Sequence, residues 1–280
     1  MTSAQPFDPA PFQRFEQTGW EQAAAFYGDA FGGLTGQTAG PLLDAVGVPP
    51  GVRLLDVATG PGFIAAAASA RGAAVVGLDF SRAMITEARQ RHPAITFREG
   101  DAQALPFDDE RFDAVVMNFG LLHLARPEAA LAEAHRVLRP GGRYAFTIWG
   151  GPDQAVGFGL AVRAVEEFGK TDVGLPEGPP FFRFSDTGEC RRTLRAAGFG
   201  DVDVRLLALT WQLQSADAVF AAVSRGGVRT AAVLRAQTPE ALENIRAAIR
   251  RGVESYAQAS GGFAVPMHAV LASGTKATLA

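Results

Sequence analysis

The residues best suited to chemistry stand where an apolar run breaks into glycines. Leu54-Leu55-Asp56-Val57-Ala58-Thr59-Gly60-Pro61-Gly62 reads as a short strand, a tight turn and the start of a helix. Glycine lacks a Cβ, so the backbone can turn sharply and a ligand can lie directly against it at a helix N-terminus. With Ala65 the run also meets the relaxed dinucleotide pattern of two glycines and an alanine. The plain alternative is a strand-to-helix turn that binds nothing. Asp79 ends the next apolar run. A carboxylate there can accept hydrogen bonds from two ribose hydroxyls; its plain reading is an acid beside a helix dipole. His123 follows the run Phe112–Asn118 and is the titratable side chain placed to exchange a proton near neutral pH.

These residues need a scaffold, and the chain has the pattern of one. Val52–Ala58, Ala74–Leu78, Ile95–Arg98, Phe112–Asn118 and Arg143–Trp149 are short apolar runs of the kind that form buried parallel strands. Helical segments separate most of them: Phe63–Arg71, then Arg82–Arg91 with Ser81 as N-cap, then Pro127–Leu138. Parallel neighbours need crossovers, so the expected fold is α/β, a doubly wound and mostly parallel seven-stranded sheet. The second, first and fourth strands should lie side by side. Val202–Gln214 reads as one long strand pairing at the far edge with Phe263–Leu271, the antiparallel last strand. Further helices are expected at Trp20–Phe31, Pro41–Val46 and Val156–Phe168, and from Thr238-Pro239 to about Tyr256. Another, ending at Gly198, has Asp186 and Glu189 at capping-box spacing.

Composition narrows the class. The 280 residues are 48% hydrophobic and 20% charged, enough for an ordinary core. The net charge of -3 argues against a nucleic-acid binder. The one cysteine, Cys190, lies on an amphipathic helix and reads as a packed thiol, so neither a disulfide nor a zinc site is expected. No spanning segment and no secretory pattern in Met1–Phe15 are visible, which points to the cytoplasm.

In series, the glycine turn, Asp79, Gly100-Asp101-Ala102, Leu105-Pro106-Phe107, Phe112–Asn118 and Val137-Leu138-Arg139-Pro140-Gly141-Gly142 resemble the class I S-adenosylmethionine-dependent methyltransferases. The nearest resemblance is to the type 11 group that includes ubiquinone- and menaquinone-biosynthesis enzymes, over about residues 50–150. The resemblance implies S-adenosylmethionine as cofactor, with Asp56 toward the methionine ammonium and Thr59, Gly60 and Gly62 at the amino-acid end. Asp79 would take both ribose hydroxyls, and Phe80 and Met84 would flank the adenine. Asp101 and the Ala102 backbone would read the adenine edge, and Asn118 and Phe119 would stand beside the sulfonium. The run Asn118-Phe119-Gly120-Leu121 lacks the Pro-Pro-aromatic sequence of the amino-methylating DNA and glutamine enzymes.

In that setting His123 is a candidate general base for an attacking hydroxyl, carbon acid or amine, its plain reading being a packing or contact residue. Displacement at an activated sulfonium asks mainly for alignment and water exclusion, and no metal. The expected organisation is a helical lid segment over residues 1–45, the cofactor-binding core over 46–150, and a remainder over 151–280. Acceptor-binding insertions fall there at about 151–184 and 215–260. Trp20 and Tyr27, and Phe181 and Phe182 in the Gly174–Phe184 loop, are expected to close over the pocket from opposite sides, with ordinary core packing as the alternative. The expected partner is a small organic methyl acceptor. A nicotinamide-dependent oxidoreductase, an enzyme using decarboxylated S-adenosylmethionine, and a degenerate binding module remain the other readings.

Overall fold

The computed structural model describes residues 8–278. The first seven residues of the expected lid segment lie outside them. The chain enters with Asp8 capping the nitrogen of Ala10 at 3.0 Å, and Pro9 opens α1 (Pro9–Tyr27). The helix therefore starts well before Trp20, the start read from the sequence; the signal was the Asp-Pro pair. The glycines after Tyr27 do not loosen the chain. They carry it through a π turn (Gly28–Gly32), α2 (Gly33–Thr35) and a 3-10 turn into α3 (Ala39–Val46).

Then come β1 (Arg53–Val57), α4 (Phe63–Ala70), β2 (Ala74–Asp79), α5 (Arg82–Arg91), β3 (Thr96–Glu99), β4 (Phe112–Asn118), α6 (Pro127–Val137) and β5 (Leu138–Trp149). Ser81 caps α5 by accepting from the Met84 nitrogen at 3.2 Å. The strand order is β3-β2-β1-β4-β5, all parallel, so the second, first and fourth strands are adjacent as expected. Successive residues of β1 face opposite layers. Leu54 packs with Leu42, Leu43 and Ile64, whereas Leu55 joins the larger core with Phe146 and Leu131.

The C-terminal part holds α7 (Val156–Phe168), α8 (Thr187–Ala196), β6 (Phe199–Leu207), β7 (Thr210–Leu213), α9 (Ala218–Arg225), α10 (Arg229–Arg235), α11 (Pro239–Glu254), β8 (Phe263–Pro266) and β9 (Ala269–Lys276). The strand β9 runs antiparallel between β5 and β6, completing seven strands. The two long strands expected here are each cut in two. β7 and β8 form a separate two-stranded sheet, and the register carries through the break, from Leu207 opposite Ala269 to Thr210 opposite Pro266. The bend turns Leu209, Trp211 and Met267 into the core, and Pro266 has no N–H to extend a ladder. Asp186 caps α8 through the Gly188 nitrogen, but Glu189 turns to Arg183 and Arg192 instead of closing a capping box. Cys190 is buried, and burial pushes its thiol up to about 12. Among the described residues no helix is long and apolar enough to cross a membrane.

Ile245, Ile249 and Val253 recur every four residues on α11 and are fully buried, where that helix packs on α7. Ile249→Ala should cost about 2–4 kcal/mol in urea unfolding while leaving one cooperative transition. Two separated transitions would show that the helical insertion is an independent unit.

Candidate active site

The glycine turn leaves β1 at the carboxyl edge of the sheet, where doubly wound folds bind ligands. A cavity of about 610 Å³, partly open to solvent, lies there. Its walls include Gly60, Asp79, Phe80, Met84, Asp101, Ala102, Asn118, Phe119 and His123, with Trp20 and Tyr27 from α1. The two glycines of the turn are glycine for different reasons. Gly60 has φ +52°, and a Cβ there would meet nothing within 4 Å, so its backbone is open to approach. Gly62 has φ +86°, and a Cβ there would stand 2.9 Å from the Phe97 ring. It does not border the cavity; it lets the turn pack and α4 begin.

The acids are strongly anchored. Asp79 accepts from the Gly60 and Ser81 nitrogens, each at 2.9 Å. Burial pushes its carboxyl up to about 6, against the pull of those N–H donors. Asp56 lies beneath the turn, fully buried and off the cavity wall. Its Oδ2 accepts from the Thr59 hydroxyl at 2.6 Å, while its buried Oδ1 has no partner. Burial pushes Asp56 up to about 7. Asp101 accepts from the Gln103 nitrogen at 2.8 Å and from Gln13 Nε2 of α1 at 2.8 Å. Gln17 and Glu21, at successive four-residue steps, bind the Phe80 carbonyl and the Arg82 and Ala83 nitrogens. One face of α1 is thereby strapped to the loops after β2 and β3.

A second chamber of about 520 Å³ shares Trp20, Tyr27, Phe119 and His123 with the first. It adds Phe31, Trp149, Phe158, Phe181, Arg229 and Thr230. Phe119 has φ +52° and stacks on Trp149 at 3.9 Å between ring centroids. A non-glycine residue held there stores strain of about 1–2 kcal/mol. The amide of Asn118 borders the first chamber, and hydrogen bonds at both its oxygen and its nitrogen fix its orientation. Its Oδ1 accepts from the Thr38 and Thr147 hydroxyls, and its Nδ2 donates to the Thr35 carbonyl. Phe181 reaches the second chamber; Phe182 lines an outer apolar groove with Phe181, Val162 and Val233. Thus Trp20, Tyr27 and Phe181 come together, and Phe182 stands apart.

His123 sits on the 3-10 turn Leu121–His123 after β4, its ring edge-on to Trp20 at 4.8 Å. Its Nδ1 lies 2.9 Å from Oε2 of Glu16, which is 0% exposed. The other oxygen, Oε1, accepts from Arg229 Nε at 2.7 Å. Burial alone would raise the Glu16 carboxyl, but His123 and Arg229 together hold it below its ordinary value. Sequence reasoning missed Glu16, Arg229, Gln13, Trp149 and Phe158. The signal for Glu16 was its place one helical turn before Trp20, on the face that also carries Tyr27.

Residues 55–146 match the family model described as a methyltransferase domain. The chain is 49% identical over 102 residues to a demethylmenaquinone methyltransferase of Renibacterium salmoninarum, covering 36% of this chain and 43% of that one. It is 36% identical over 175 residues to a protein of the same description from Clavibacter sepedonicus, covering 58% of this chain and 71% of that one. The chain thus spans less than half of the Renibacterium relative. Among solved structures, YcgJ of Bacillus subtilis superposes with a TM-score of 0.60 at 18% identity, covering 87% of this chain and 99% of that one, a likeness of fold.

The elevated carboxyl of Asp56 has a consequence for stability. A group whose folded-state pKa is raised contributes stability that is full below about pH 4 and is lost as pH rises through about 7. The stability of Asp56→Asn relative to the wild type should therefore climb by roughly 3–4 kcal/mol between pH 4 and pH 8. Chemical denaturation of both proteins across that range reads the difference, and a flat difference would contradict a buried, ionising Asp56.

Proposed function

The chain belongs to the class I S-adenosylmethionine-dependent methyltransferase family, and we propose that it methylates a small, flat aromatic acceptor of the quinol type. The observation that carries this reading is the pair of adjoining chambers, with His123 and Phe119 among the residues that line both. One is lined by carboxylates and a glycine turn, the other by aromatic rings. The names of the relatives, demethylmenaquinone methyltransferases, point to the same class of acceptor.

The residues present fit the cofactor. Asp79 is fixed by two backbone donors and keeps lone pairs for ribose hydroxyls. Asp101 and the Ala102 backbone would serve the adenine edge, with Phe80 and Met84 beside the ring, and Gln13 donates to the Asp101 carboxylate from α1. Gly60 lets the amino-acid end approach, and Thr59 sets the carboxyl of Asp56. The orphaned Oδ1 of Asp56 suits the ammonium through a water. A pyrophosphate at this turn would lie beside Asp79 and above the buried Asp56, two carboxyl groups, which counts against the nicotinamide reading.

S-adenosylmethionine, when bound, would supply an electrophilic methyl group to the acceptor's electron pair. The protein's part is alignment and exclusion of water. Phe119, Trp149, Phe158 and Phe181 hold the acceptor ring by its faces and edges. Trp20 and Tyr27 of α1 cover both chambers, as the lid segment. Arg229 commits three of its N–H groups to Glu16 and to the Pro179 and Leu122 carbonyls, which fixes its guanidinium in the wall of the second chamber. His123 takes the proton that the acceptor loses.

Calorimetry should give a micromolar Kd for S-adenosylhomocysteine, about -8 kcal/mol, weakened by roughly 1.5–3 kcal/mol in Asp79→Ala. Absence of binding by the folded protein would falsify the cofactor reading. With a naphthoquinol acceptor, His123→Gln should lose roughly 10²- to 10⁴-fold in turnover while cofactor affinity stays near the wild-type value. Wild-type turnover in that variant would leave catalysis to alignment alone.

A further inference from the structure

Resting on the reading of His123 as the proton acceptor, we infer that Glu16 is its positioning residue, a buried carboxylate from α1 that sets the tautomer of the base and stabilises its protonated form. A neutral imidazole carries one N–H, and a carboxylate can only accept. Glu16 Oε2, 2.9 Å from Nδ1, therefore draws the ring proton to that nitrogen and leaves the lone pair on Nε2. The Trp20 ring, edge-on at 4.8 Å and 86°, blocks rotation of the imidazole. His123 and Tyr27 are the titratable side chains bordering both chambers. Burial pushes the Tyr27 phenol up, away from the range of a base at neutral pH.

Arg229 does for Glu16 what Glu16 does for the histidine. Its Nε donates to Oε1 at 2.7 Å, which keeps the buried carboxylate charged. Its guanidinium lies 4.4 Å from the Phe12 ring centroid, also on α1. The charged and titratable groups around the pair are Arg229 from α10, Tyr27 from α1, and Asp79 and Asp101 at the ends of β2 and β3. In the step itself the acceptor's hydroxyl proton moves to Nε2, and its O–H electron pair stays on the acceptor. The imidazolium so formed stands against Glu16 and later returns its proton to water. Because the three partners come from α1, the turn after β4 and α10, the oriented base exists only while these segments are docked.

The test is the pH profile of methyl transfer to a naphthoquinol in the wild type, Glu16→Gln and His123→Gln, with acceptor KM measured separately. Glu16→Gln should lower turnover at least about tenfold with little change in KM. The acid limb of its profile should move to lower pH, since its imidazolium has lost a carboxylate. A merely structural role would not move that limb. If Glu16→Gln keeps the wild-type limb and turnover while His123→Gln is impaired, the assignment of Glu16 falls and the base stands. If His123→Gln turns over normally, the base reading falls with it. Should Glu16→Gln fail to fold, nitrogen-15 spectra of the wild-type imidazole decide the point. A neutral ring protonated at Nδ1 supports the inference, and one protonated at Nε2 overturns it.

Discussion

A carboxylate with no exposure to water has to be paired, and Glu16 is paired twice, with His123 and with Arg229. Breaking such a buried pair by removing one partner costs about 3–5 kcal/mol, because the remaining charge is stranded. That penalty ties together residues more than a hundred positions apart in the chain. It sets where α1 crosses the carboxyl edge of the sheet, how α10 approaches it, and where the Pro179 loop rests. Trp20 and Tyr27 follow from the same helix, so the roof of both chambers is held by this ionic contact together with the bonds of Gln13, Gln17 and Glu21.

The opposite wall is built from strand ends under strain and acids under desolvation. Ala58 and Phe119, with φ +55° and +52°, occupy the left-handed region at the ends of β1 and β4. Asp56 and Asp79 are buried carboxyls whose charge the free protein stabilises poorly. Each feature costs stability in the fold.

The family match ends at residue 146, and the second chamber is walled largely from outside it. Phe31, Trp149, Phe158, Phe181, Arg229 and Thr230 come from the N-terminal helices, the end of β5 and the C-terminal insertions. The bent ribbon of β6–β9 and β7–β8 belongs to this part. By folding Trp211 against Phe31 at 5.2 Å it joins the N-terminal helices to the end of the sheet. The core carries the family match, and the flanking segments build most of the second chamber.

The alternating strands and helices, the strand order around β1 and the acids at strand ends were all legible from the residues alone. They rest on local signals: a run of apolar residues needs burial, a glycine turn needs a missing Cβ, and Ser81 or Thr238 needs a nitrogen to cap. The helix Arg82–Arg91 and the strand Phe112–Asn118 accordingly begin and end where they were expected. The bend in the ribbon was not legible, because Val202–Gln214 has β-forming residues throughout and only the packing of Trp211 and Met267 against α7 favours a break. Nor was the Glu16–His123–Arg229 contact, since a glutamate on a helix face looks like any solvated glutamate until a partner covers it. Local chemistry wrote the scaffold and the loops at the strand ends; burial of charge between distant segments decided the histidine's neighbours and the shape of the second chamber.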